Sequence, residues 1–136
     1  MSDCIFCMLA NGAIPTAKLY EDEHFAVILD ANPASKGHAL ILPKEHHANL
    51  FEMPDELAAE AFILAKKIAS RMKDALKCDG FNIVQNNGEA AGQTVFHFHI
   101  HIIPRYEGSE RIVAWKPGTL TDDLRSEILE KFQSAE

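Results

Sequence analysis

Three of the seven histidines in this 136-residue chain alternate within five positions: His97, His99 and His101. In a β-strand alternate side chains share a face, which sets these imidazoles about 6.5 Å apart in one row. Phe98, Ile100 and Ile102 then point the other way, and their apolar character fixes the register. Three imidazoles on one face of a buried strand need partners or a task. Two tasks suit them, apart from a surface face that merely carries histidine. One is a metal-hydrolase site, since neutral imidazole is the commonest zinc ligand. The other is nucleophilic attack by imidazole at phosphorus, with flanking histidines carrying protons. The preceding loop favours phosphorus. Asn86, Gln93 and Thr94, with backbone N–H groups near Gly88 and Gly92, are neutral donors suited to phosphate oxygens.

A second cluster lies at the start of the chain. Cys4 and Cys7 form a C-x-x-C pair that shares one face of a helical turn, close enough to bind a metal together. Two thiolates leave two tetrahedral positions to fill. The same residues also suit a small apolar core pair or, less well without a thioredoxin-like βαβ setting, a redox pair. Cys78 stands alone and reads as a small, half-buried side chain at a helix end.

The elements that must hold these residues follow from periodicity. A short helix runs through Ile5, Phe6, Met8 and Leu9, capped by Ser2 or Asp3 and stopped at Asn11-Gly12. Strands are expected at 18–21, 25–30, 38–42, 81–86 and 95–103. Leu57, Ala61, Leu64, Ala65, Ile68, Met72 and Leu76 mark one long helix, begun by Pro54-Asp55 and ended by Asp79-Gly80. A last helix, capped by Thr121, spans about 122–132. Three strands, a long helix and two strands, without βαβ alternation, predict an antiparallel α+β fold: five strands, one long helix and short terminal helices. No repeat or linker divides residues 1–136, so one domain is expected, with its core at about 4–105 and a tail from 106.

Composition excludes other classes. Thirteen Lys and Arg against twenty Asp and Glu give a net charge of −7, so no bulk positive field recruits nucleic acid. Hydrophobic residues make up 47%, with no apolar run near the ~20 residues of a membrane span. The N-terminus lacks the basic start and apolar core of a signal peptide, and a cytoplasmic location is expected.

The run His97-Phe98-His99-Ile100-His101-Ile102-Ile103 resembles the His-φ-His-φ-His-φ-φ signature of the histidine triad (HIT) superfamily. The resemblance extends to Cys4-Ile5-Phe6-Cys7, Leu29-Asp30, Pro43-Lys44-Glu45-His46, Asn86-Asn87-Gly88 and Gly92-Gln93-Thr94-Val95-Phe96-His97. Ile103-Pro104-Arg105-Tyr106 resembles the bacterial, Hint-like members. It implies a homodimer and a purine nucleotide whose α-phosphate lies beside the triad. His99 would attack phosphorus, and water would then hydrolyse the nucleotidyl-histidine. His101, Asn86, Gly92, Gln93 and Thr94 would hold phosphate oxygens. Asp30 matches the ribose-binding carboxylate, and Ile5, Phe6, Leu9 and Ile28 match the base pocket. The leaving-group proton could come from His97, His101 or His46. The resemblance also implies a structural zinc site formed by Cys4, Cys7, His46 and His97, with His47 facing solvent. His24 and His38 are left as structural or exposed residues. The implied activity is nucleoside phosphoramidase-like. Dinucleoside polyphosphate hydrolysis, or nucleotide binding with incidental turnover, are its alternatives.

Overall fold

The computed structural model describes residues 3–135. A six-residue helix α1, Ile5–Ala10, opens the chain. Strands β1 (Lys18–Glu21), β2 (Phe25–Leu29) and β3 (Ala39–Pro43) follow, then the long helix α2 (Asp55–Leu76). Strands β4 (Gly80–Val84) and β5 (Ile100–Arg105) complete one sheet, and helix α3 (Asp122–Ser134) lies beyond it. The strand order is β1-β2-β3-β5-β4, with every neighbouring pair antiparallel. This is the α+β architecture expected from the sequence. No helix among the described residues is long and apolar enough to cross a membrane.

Alternation divides the sheet's two faces. Phe25, Val27, Ala39, Ile41, Ile100 and Ile102 turn to one side and pack with Ala61, Leu64, Ala65, Ile68 and Met72 of α2. Ala26, Ile28, Leu40 and Leu42 turn to the other, where Phe6, Leu9 and Ala10 of α1 meet them. His101 pairs with Leu40, and Leu40 with Ile28, so His101 belongs to the α1 face. Phe98 is fully buried on the α2 side, which holds the segment before β5 in the alternating register expected of it.

Two local details differ from the sequence reading. Regular strand pairing begins at Ile100 rather than Val95, so only His101 of the triad lies within β5. The cause is that residues 93–98 are recruited by side-chain and backbone partners outside the sheet: Phe98 N–H donates to the His47 carbonyl at 2.6 Å. The cap of α1 is Cys4, whose Sγ accepts from the Cys7 N–H at 3.4 Å, where Ser2 or Asp3 was expected. Asp3 lies one residue too early, and Ser2 lies outside the described residues.

Gly37 sits at the tight entry to β3 with φ +92°. A Cβ there would meet Leu76 Cδ1 at 2.5 Å and Pro104 Cγ at 3.2 Å. Gly37→Ala should therefore lower stability by about 2 kcal/mol, combining left-handed backbone cost with crowding of α2 against β5. Urea unfolding of the two proteins checks this, and an unchanged midpoint would show that Leu76 moves aside without penalty.

Candidate active site and metal cluster

The three histidine rings have different partners, and these partners fix which nitrogens carry protons. His97 is fully buried, and its Nε2 lies 2.9 Å from the Pro43 carbonyl. A carbonyl only accepts, so Nε2 bears the proton and Nδ1 keeps its lone pair. That Nδ1 is 3.4 Å from both Cys4 Sγ and Cys7 Sγ, and 3.2 Å from His46 Nδ1. His99 Nδ1 donates to the His97 carbonyl at 2.7 Å, which leaves Nε2 as the ring's free nitrogen.

His101 is set by a residue the sequence reading left without a task. The Ala34 N–H donates to His38 Nδ1 at 2.9 Å, so His38 carries its proton on Nε2. His38 Nε2 donates in turn to His101 Nδ1 at 3.0 Å, and His101 bears its own proton on Nε2. The rings of His99 and His101 stand 5.0 Å apart, edge to face. A nucleophile-type nitrogen and a donor-type N–H thus sit side by side. His38, Leu40 and Leu42 alternate in the sequence, which put His38 on one strand face. Only the pairing of β3 with β5 reveals that His101 shares that face.

Burial keeps these rings neutral. Desolvation holds His99 below the usual imidazole range and pushes His101 down to about 4. His97 is likewise pushed down to about 4, chiefly by burial. Between pH about 6.5 and about 4 the unfolded chain binds a proton at His101 that the folded chain does not. Stability from this group therefore falls as pH drops through that window.

A cavity of about 590 Å³ opens beside the two rings. His99, His101, Asn86, Gly92 and Thr94 line one part, and Ile5, Phe6, Leu9, Ile28 and Leu40 an apolar part. Asp30 lines it as well, with Oδ1 accepting from the Asn32 N–H at 2.8 Å and Oδ2 lying 3.4 Å from His38 Nε2. The size suits a small organic ligand with both apolar and charged parts. Thr16, Asn32 and Val95 join the lining, positions that periodicity alone does not single out.

Two residues expected at the cavity are placed behind it. Gln93 is 2% exposed, and its amide is committed to the Gly88 N–H, the Ala48 carbonyl and the Val95 carbonyl. It fixes the loop that presents Gly92 and Thr94. His97 spends one nitrogen on Pro43 and turns the other to the cysteines, so neither ring nitrogen is offered to the cavity. Phe6 packs edge-on against both His97 and His99, at 6.1 and 4.9 Å between centroids.

Cys4, Cys7, His46 and His97 bring one ligand atom each within 4.8 Å of one another. Cys7 Sγ is 3.2 Å from His46 Nδ1. Tetrahedral zinc with N and S ligands has N–N edges of about 3.3 Å and N–S edges of about 3.5 Å. The observed separations of 3.2 to 3.4 Å match these edges. Two thiols and two imidazole nitrogens are also a donor set suited to zinc. Asn11 braces the cluster. Asn11 Nδ2 donates to the Cys7 and Lys44 carbonyls at 2.9 Å, binding α1 to the segment that carries His46. His47 follows His46 but does not face solvent as expected. Its side chain is 13% exposed, because its carbonyl holds Phe98 and its ring pairs with Glu45. Asp30, His38 and His101 also converge, but the proton on His38 Nε2 makes that trio a hydrogen-bonded chain.

Comparison with known proteins agrees with this geometry. The HIT domain model matches residues 11–108. The adenosine 5'-monophosphoramidase HNT1 of Saccharomyces cerevisiae is 42% identical, over 98% of this chain and 85% of that protein. The crystal structure of SMU.412c from Streptococcus mutans superposes with a TM-score of 0.91 at 42% identity, covering 98% of this chain and 85% of that one. A zinc-bound histidine triad family protein from Mycobacterium smegmatis does so at 0.77 and 34% identity, covering 98% and 99%. The sequence signature, the sheet topology and these matches lead to one conclusion: the chain belongs to the HIT family, on its Hint-like side.

Proposed function

We propose that this protein hydrolyses a purine nucleotide derivative at its α-phosphate, in the manner of a nucleoside phosphoramidase. The observation that carries the reading is the protonation pattern: His99 has a free Nε2 beside the Nε2–H of His101, on the cavity wall. The phosphoramidase activity named for the yeast relative supports the choice of leaving group. In the first step the His99 Nε2 lone pair attacks phosphorus, and the bond to the leaving amine breaks. The departing amine takes the His101 Nε2 proton, and the water that attacks phosphorus in the second step returns a proton to that nitrogen as its oxygen bonds to phosphorus. Water then attacks phosphorus, the phosphorus–nitrogen bond breaks, and nucleotide is released. Asn86, Thr94 and backbone N–H groups near Gly92 hold the phosphate oxygens. Asp30 accepts from the ribose hydroxyls, and the base lies against Ile5, Phe6, Leu9 and Ile28. His97 and Gln93 act as positioning residues, one through its carbonyl and the other through the loop.

His99→Ala should abolish turnover of an adenosine phosphoramidate, at least about a thousandfold for loss of the nucleophile. Nucleotide binding should persist. Mass spectrometry of a quenched wild-type reaction should find the nucleotidyl adduct on His99. Normal turnover by the variant would end this mechanism, and faster cleavage of a diadenosine polyphosphate would reassign the leaving group.

Zinc is the ion we assign to Cys4, Cys7, His46 and His97, with a structural role, since four protein ligands leave no open position. Bound there, it would cross-link α1 to the segments carrying His46 and His97. Purified protein should hold about one zinc per chain, and Cys4→Ser/Cys7→Ser should hold none and melt at lower temperature. Elemental analysis and calorimetry check both. Instant inactivation of still-folded protein by a chelator would show that the ion belongs to the chemistry.

We also infer a homodimer. The free edge of β4, Gly80–Val84, exposes Ile83, and α2 exposes Phe62 and Ile63. An unpaired edge flanked by apolar residues is a template for a second copy. Light scattering at micromolar concentration should give twice the chain mass of 15.1 kDa, and a monomer there would exclude it.

A further inference from the structure

Two of the chain's three thiols meet at the start of α1. Cys4 Sγ and Cys7 Sγ each lie 3.4 Å from His97 Nδ1, and the two sulfurs are within 4.8 Å of each other. Helix geometry sets Cα atoms three residues apart at about 5 Å. That spacing is inside the range of about 4.4–6.8 Å that a disulfide bridges. Cys4 has extended backbone, at φ −85° and ψ 117°, and its Sγ already turns toward the Cys7 N–H. Side-chain rotation can therefore join the two sulfurs.

The sulfurs differ in access. Cys7 is 6% exposed, whereas Cys4 is half-buried. Cys4 and His46 line an opening of about 400 Å³, together with Asp3, Ile5, Thr94 and Phe96. A small neutral oxidant entering there meets Cys4 first, with Cys7 as the second thiol. Cys78 is buried at the other end of β5, where the Asp79 N–H bonds the Arg105 carbonyl. It is remote from the pair.

Oxidation of this pair would reach the catalytic cavity. Cys4 Sγ caps α1, and Ile5, Phe6 and Leu9 of that helix line the cavity. Phe6 also packs edge-on against His97 and His99. Joining the sulfurs draws Cys4 from its cap position and removes two of the four donors of the cluster.

We propose that Cys4 and Cys7 form a reversible disulfide with a hydroperoxide, which empties the cluster of metal and loosens the cavity wall. The proposal rests on the zinc assignment and the hydrolase reading above. The Cys4 thiolate attacks one peroxide oxygen, the O–O bond breaks, and a sulfenic acid forms while the other oxygen leaves as hydroxide. The Cys7 thiolate then attacks the Cys4 sulfur, the S–O bond breaks, and a second hydroxide leaves. The two sulfurs give up two electrons, the peroxide takes them, and two solvent protons convert both hydroxides to water. His46 and His97 alone remain as donors, two where tetrahedral zinc takes four. A thiol reductant restores both cysteines by exchange.

The test treats zinc-loaded, full-length protein with hydrogen peroxide beside a chromogenic zinc indicator. About one zinc per chain should be released. The tryptic peptide 1–18, which holds both cysteines, should lose about 2 Da and regain them with a thiol reductant. A dimedone probe should mark Cys4 in Cys7→Ser and leave Cys7 unmarked in Cys4→Ser. Phosphoramidate turnover and affinity for adenosine monophosphate should each fall about tenfold, and return with reductant and zinc. Peptide 1–18 still reduced after excess peroxide would overturn the proposal. So would a disulfide that leaves both turnover and nucleotide affinity unchanged. Protein that takes up no zinc counts against the zinc assignment alone, because the peptide mass and the nucleotide affinity still decide the disulfide. Protein without phosphoramidate turnover counts against the hydrolase reading in the same way.

Discussion

The hydrogen bond from His97 Nε2–H to the Pro43 carbonyl, inside a fully buried pocket, is the constraint on which the site depends. By fixing that proton it aims the Nδ1 lone pair at Cys4 and Cys7. By holding the ring it also holds the His97 backbone, whose carbonyl sets the tautomer of His99. One residue therefore joins the metal cluster to the cavity, through its side chain on one side and its main chain on the other. A substitution at His97 acts on both at once, and a change at Cys4 reaches the cavity both through the ring and through the cap of α1, which carries Ile5, Phe6 and Leu9.

Much of this was legible in the sequence. Alternation of His97 to Ile103 told which residues enter the core, and Phe98, Ile100 and Ile102 are all fully buried. The three-to-four-residue spacing of α2 and its Pro and Gly boundaries located the long helix. The cavity residues Asp30, Asn86, Gly92 and Thr94 came from the family pattern together with their donor chemistry. What stayed hidden depends on pairing between distant segments. His38 reads as one polar residue at a strand start until β3 is laid beside β5. Gln93 carries the donor groups of a ligand contact, and only the positions of Ala48 and Gly88 show them already used. The strand expected from Val95 begins at Ile100 because Phe98 bonds to the His47 carbonyl, a contact 51 residues away in sequence and invisible to local propensity.

Electrostatics take an unusual course in this acidic chain. Its net charge of −7 would raise imidazole pKa values through long-range attraction, yet burial dominates at the triad and keeps the rings uncharged. Asp30 is the one carboxylate whose attraction reaches both His99 and His101, and it does not reverse the burial effect. Most of the other acidic residues among those described lie on exposed surfaces, as Glu21 does in its pair with Lys44. An anionic ligand thus meets neutral donors at the cavity rather than a positive field, and geometry rather than bulk charge must select it.

Helix α1 assigns its six residues and its cap to two separate tasks by angle. A helix turns about 100° per residue, so Cys4 and Cys7 lie near one meridian while Ile5 and Leu9 lie near the opposite one. Mutation at the exposed Ile5 can therefore reshape the cavity wall across generations without disturbing the thiols, whereas Leu9 is also held by its packing against Ile28 and Leu40. Phe6 has no such latitude, since its ring is wedged against His97 and His99 together. Divergence among descendants of this chain should accumulate at Ile5 and stall at Phe6.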